Sequence, residues 1–136
     1  MIKKTFNYKN FLGLEVKKDW YFNISKTEYL EKEMTTPGGY AAMLQEAMDA
    51  KDNVVLFKCF KEFILGSVGK ISDDGNDFVK SQAITDEFAQ SPAYEMLVME
   101  FFGENGADKG AEFINGIFPA DVAEKAKELK AQRDAT

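Results

Sequence analysis

Two segments in the middle of the chain carry apolar residues around nearly the whole circumference of a helix, and any fold must find cover for them. In the first, Phe57, Phe60, Ile64 and Val68 follow one stripe, which Leu56, Cys59 and Phe63 widen. At about 100° per residue, Lys58, Lys61 and Glu62 keep only about a third of the circumference polar. In the second, Tyr94, Met96, Leu97, Val98, Met99, Phe101 and Phe102 point in nearly every direction, interrupted only by Glu95 and Glu100. An ordinary surface helix is apolar on one stripe. The first segment is therefore expected to be central, and the second either sandwiched in the core or part of an association surface, because a chain of 136 residues has little room for several such helices.

That length suits one compact domain. Its 12 Phe and 6 Met promise a rich core, exposed apolar surface, or both. A formal charge of −6 is unsuited to gripping phosphates, so nucleic acid is not an expected partner. No run of about 18 apolar residues occurs, and no apolar stretch follows Lys3-Lys4, which predicts a soluble chain with neither membrane span nor signal peptide. The single cysteine, Cys59, lies in an apolar helical run, where a thiol acts as a small hydrophobe. Histidine is absent, which removes the usual proton shuttle, the commonest metal ligand and the Ser-His and Cys-His nucleophile pairs. Neither enzyme activity nor a cofactor is expected.

From Ile2 onward apolar residues fall on even positions, Ile2, Phe6 and Tyr8, then Leu14, Val16, Trp20, Phe22 and Ile24, with Lys, Thr, Asn and Glu between them. Period two predicts paired strands with one wet face. A lone hairpin is marginal in water, so the Trp20 and Phe22 face is expected to lie on the helices or on another subunit, helix packing being the default. Ser25 and Glu28 have capping-box spacing, and Ile24 with Tyr29 has that of a hydrophobic staple, so a helix is expected to begin there. Thr36-Pro37-Gly38-Gly39 breaks the chain, and Tyr40, Met43, Leu44, Ala47 and Met48 resume helical spacing. Asn53 is the expected cap of the next helix. Gly66 to Asp77 reads as a turn-rich exit and a solvated loop, followed by a short helix near Thr85 to Gln90. Ser91-Pro92 signals a helix through about Phe102. Ala111 to Ile117 reads as a further short helix. The fold class expected is α+β, mainly α, with an N-terminal β-hairpin (residues 1–24) and a compact bundle of about six short helices (25–119) in a single domain. Residues 120–136 read as a charged, loosely docked helix or tail, with Asp121 and Lys125, and Glu124 and Lys127, as supporting pairs.

Two motifs fail on spacing. Gly66-Ser67-Val68-Gly69-Lys70 resembles a phosphate loop, but the first glycine would fall at Ile64 and the hydroxyl residue at Ile71. Asp73-Asp74-Gly75-Asn76-Asp77 invites a calcium loop, but its first ligand would be Lys70 and its bidentate acid Ser81. No pair of acids stands out as flanking a substrate cleft.

The order of Tyr21-Phe22-Asn23-Ile24-Ser25-Lys26, Phe60-Lys61-Glu62-Phe63-Ile64-Leu65-Gly66-Ser67-Val68-Gly69-Lys70, Asp73-Asp74-Gly75, Phe78-Val79-Lys80-Ser81, Phe88-Ala89-Gln90-Ser91, Ala93-Tyr94 and Phe113-Ile114-Asn115-Gly116-Ile117-Phe118-Pro119 resembles the tail assembly chaperones of long-tailed, siphovirus-type bacteriophages. The resemblance covers residues 2 to 119. It implies a protein of the infected host's bacterial cytoplasm, not in the mature virion, that coats the tape measure protein and recruits tail tube protein subunits. It also implies that this is the short form, a longer product arising in many such phages by ribosomal frameshifting. The segment after Pro119 has no counterpart in the resemblance.

No family motif assigns contact residues. The apolar excess alone nominates Phe60, Ile64, Met96, Met99, Phe101 and Phe102 as a partner-binding surface, with homo-oligomers as a further expectation. Two other functions fit the composition: a structural tail or connector component retained in the virion, and a small acidic inhibitor of a host protein.

Overall fold

The computed structural model describes residues 1–103, together with Gly106, Lys109, Gly110, Phe113 and Ile117. Strands β1 (Ile2–Lys9) and β2 (Glu15–Phe22) pair antiparallel over eight residues each, Ile2 opposite Phe22 and Lys9 opposite Glu15. Helices α1 (Lys26–Thr35), α2 (Tyr40–Asp49) and α3 (Asn53–Ser67) follow, then β3 (Val68–Ile71), β4 (Phe78–Val79), α4 (Gln82–Ala89) and α5 (Pro92–Phe101). The strands form one antiparallel sheet in the order β1-β2-β3-β4.

The architecture is α+β, but the expected hairpin-plus-helical-bundle needs correction, because the sheet has four strands rather than two. The segment read as a solvated loop folds back as β3 and β4. Ser72 N–H donates to Asp77 O at 2.9 Å, and the Asp74 carboxylate accepts from Ser72 Oγ at 2.6 Å and from Asn76 N–H at 3.0 Å. These bonds hold the Asp74 carboxyl below its ordinary range, the Ser72 hydroxyl contributing most. The would-be calcium loop thus spends its central carboxylate on its own turn. The false phosphate loop ends α3 and starts β3. Five helices are found among the described residues. The sixth expected helix falls mostly outside them, as does the segment 120–136.

Local signals place the helix starts. Ser25 and Glu28 form the full capping box, Ser25 Oγ accepting from Glu28 N–H and Glu28 Oε1 from Ser25 N–H, each at 3.1 Å. Asp52, not Asn53, caps α3 by accepting from Val55 N–H at 3.2 Å. Ser81 accepts from Ile84 N–H and starts α4 at Gln82, earlier than the expected Thr85. Helix α2 follows a glycine and takes its cap from a distance: the buried Glu33 carboxylate of α1 accepts from Ala41 N–H at 3.0 Å.

The even-numbered face of the hairpin covers the helices, as its period predicts. Phe6, Trp20 and Phe22 are buried there around Phe88 of α4, with ring centroids 6.3, 5.0 and 5.4 Å from it, and Tyr94 of α5 closes the cluster at 5.7 Å. The same sheet face carries two lysines that lay their stems over aromatics and pair at the rim. Lys4 reaches Glu100 of α5 at 2.6 Å, and Lys18 reaches Glu87 of α4 at 2.9 Å while lying 4.6 Å over the Trp20 ring. Glu87 also receives Lys70 of β3 at 3.3 Å. One carboxylate thereby ties α4 to two strands.

Candidate protein-binding surface

Ring contacts lead from the core to the surface in an unbroken series. Phe22 touches Phe113 at 5.2 Å, Phe113 touches Phe101 at 5.2 Å and Phe101 touches Phe60 at 5.7 Å. Phe60 then meets Phe102 edge-on at 5.9 Å, and Phe102 meets Phe57 at 5.3 Å. The last two rings are exposed. A continuous series of aromatic rings therefore backs a pair of surface phenylalanines, one from the start of α3 and one just past the end of α5.

Helix α5 is neither sandwiched nor polar on its outer side. Ala93, Leu97 and Phe101, four residues apart, are buried, whereas Met96, Met99 and Phe102, three apart, are exposed, Met99 to 66%. On α3 Val54 and Phe57 are likewise three apart and exposed. The Phe57–Phe102 contact joins the two rows into one apolar stripe, Val54, Phe57, Phe102, Met99 and Met96. Soft thioethers and ring edges on such a surface adapt to varied apolar partners.

Of the six residues nominated from sequence, Met96, Met99 and Phe102 lie on this stripe, Phe60 and Phe101 lie beneath Phe102 as core, and Ile64 is buried deeper in α3. Val54 and Phe57 are members that sequence reasoning missed, because Phe57 shares a helical stripe with buried Phe60 and Ile64. The signal available was the polar strip of α3: at about 100° per residue Val54 falls within the arc of Lys58, Lys61 and Glu62, and Phe57 lies at its edge.

A second apolar feature lies at the tip of the β1–β2 hairpin. Phe11 is 87% exposed and Leu12 83%, and Leu14 beside them is exposed too. The tip is held from within: Asn10 Oδ1 accepts from Leu12 N–H at 2.9 Å and Leu14 N–H at 3.0 Å, and Asn10 N–H donates to Leu14 O at 2.9 Å. Gly13, at φ 79°, takes the left-handed position that this turn requires.

Beyond the other end of β2 is a cleft of about 190 Å³ floored by the buried rings of Tyr29, Tyr40 and Phe63. Its rim carries Glu28, paired with Lys80 at 2.7 Å, and Glu62, paired with Lys32 at 3.5 Å. Burial pushes the Tyr40 hydroxyl far above its usual range. Partial burial also pushes the Glu28 carboxyl upward, but bonds from Lys80 and the Ser25 amide outweigh it and leave Glu28 below the usual value. Nearby Cys59 is buried, and burial raises its thiol, with Glu62 adding to the effect.

Among the described residues no group of three or more His, Cys, Asp and Glu side chains is placed to hold a metal ion, and no helix is long and apolar enough to cross a membrane. Exposed apolar side chains are what the described surface offers a partner.

An α+β domain with an aromatic core and an apolar two-helix face defines the class. A family model described as phage tail assembly chaperone matches residues 1–136, so this chain belongs to that family. Membership accords with a non-catalytic role and implies interaction with phage tail proteins. Neither a curated protein nor a solved structure matches it.

Proposed function

We propose that this protein is the short-form tail assembly chaperone of a long-tailed phage, binding the tape measure protein in the host cytoplasm and recruiting tail tube subunits before leaving the assembling tail. The stripe of Val54, Phe57, Phe102, Met99 and Met96 carries the reading. An apolar helix laid across α3 and α5 would bury these side chains, and burial of each stabilises by about 1.5–3 kcal/mol at most. Contacts of that size hold many copies along one elongated partner through avidity yet leave each copy releasable.

The test is co-expression with the tape measure protein. Native chaperone is expected to co-purify with it and keep it soluble, while Met96→Glu combined with Met99→Glu loses capture by about tenfold or more with an unchanged thermal melt. Both side chains are exposed, so the double variant retains the core. Undiminished capture by the folded variant would refute the assignment of this surface. Mass spectrometry of purified virions is expected to lack the chain, and its presence there at tail-component stoichiometry would favour a retained structural part instead.

A further inference from the structure

We propose that the hairpin tip of one copy inserts Phe11 into the Tyr29/Tyr40/Phe63 cleft of the next, joining copies head to tail. The inference rests on the functional reading above, in which many copies line one elongated partner, and names a contact between neighbouring copies. Surface turns are ordinarily polar, and two large side chains more than four-fifths exposed on an internally braced turn are what a monomer avoids. The bracing means that little order has to be gained on docking. A cavity of about 150 Å³ accepts a benzene molecule, so a cleft of about 190 Å³ has space for the Phe11 ring.

Charge and geometry both select a second copy as the occupant. Residues 1–24 carry five lysines against Glu15 and Asp19, a surplus of three positive charges. With the whole chain at −6, the remainder is left with a surplus of nine negative charges. Glu28 and Glu62 at the cleft rim are already paired with Lys80 and Lys32, so the attraction is that of the basic hairpin for the acidic remainder as a whole, which steers the encounter without adding an ion pair at the rim. A chain cannot fill its own cleft. The tip and the cleft lie off opposite ends of β2, whose eight residues span about 25 Å. Knob and hole on different patches make a heterologous contact, which propagates into rings or open helical arrays rather than stopping at a symmetric dimer.

Two variants separate the halves. Phe11→Ser with Leu12→Ser removes the knob at exposed positions. Gly66→Leu fills the hole from its wall: a side chain there meets nothing within 4 Å of its Cβ, and leucine favours the helix more than glycine does. In sedimentation velocity across a concentration series, native protein is expected to grow beyond dimer. Each variant alone is expected to require about tenfold more protein, or greater, to associate. Mixed one to one, they are expected to form a dimer and stop, because the only intact knob and the only intact hole are then used up. Variants that assemble like the native chain, a mixture that stays monomeric, or a native chain that never associates would each overturn the proposal. So would a knob variant that loses the tape measure protein but still self-associates. Tape measure capture by native protein, scored in parallel, judges the chaperone reading on its own. Capture persisting while both variants assemble normally would sink only the tip-to-cleft contact.

Discussion

Phe88 and Gly69 show how single positions set this fold. Phe88 is fully buried and is touched by rings from β1, β2 and α5, so one side chain gathers both layers. Gly69 serves by absence. A Cβ there would meet the Phe78 ring at 2.5 Å and the Val79 carbonyl oxygen at 2.6 Å, which means that β4 closes over β3 only because the side chain is missing. Gly69→Ala is expected to cost about 1–3 kcal/mol, read as a lowered urea midpoint with an unchanged slope. A neutral result would show that β4 moves aside without cost. The same glycine, among Gly66, Asp73, Asp74 and Gly75, made the segment read as loop. Composition points to turns there, whereas the strand is specified by the Phe78 ring lying over Gly69, a tertiary contact that no local window contains.

At the scale of elements, legibility followed the range of the signal. The period-two pattern of residues 2–24, the Ser25 capping box and the Ser91-Pro92 start all act within a few residues, and β1, β2, α1 and α5 begin where those signals put them. Ser25→Ala should therefore lower stability by about 1 kcal/mol and fray the first turn of α1, visible as faster amide exchange at Glu28. Exchange unchanged at that amide would mean that packing of Tyr29, not the cap, fixes the corner. Where caps come from afar, sequence misleads. The N-terminus of α2 is served by Glu33 from the preceding helix, and nothing near Tyr40 announces it. Helix α5 looked apolar all round because it is: its inner row packs on the core and its outer row, Met96, Met99 and Phe102, meets solvent. Sequence narrowed these two rows to an open choice, and only the placement of the helix against the sheet separates them. That is why the apolar excess nominates Phe101 alongside exposed Met96, Met99 and Phe102, and the wide apolar coverage of α3 hides the same distinction for buried Phe60 and Ile64.

Across the whole molecule, acidic groups set the pH response. Asp19, Glu28, Asp74 and Glu87 all have carboxyls held below their ordinary values. The leading cause is the Thr5 hydroxyl for Asp19, the Ser72 hydroxyl for Asp74 and the Lys18 bond for Glu87; for Glu28, burial opposes the shift and Lys80 and Ser25 overcome it. A depressed folded pKa contributes stability above the unfolded value and loses it as protons are forced on. Stability is therefore expected to fall as pH drops through and below about 4. With no histidine in the chain, urea midpoints should vary little between about pH 6 and 8. A step in that upper window would contradict this account.

Cys59 has a practical corollary. The chain's single thiol is shielded by packing and held in its unreactive protonated form, so maleimide and similar reagents meet an almost blank protein. A lone cysteine engineered at exposed Asp73, in the β3–β4 turn and outside both apolar surfaces, would take a dye cleanly and report on encounters with tail proteins as they happen.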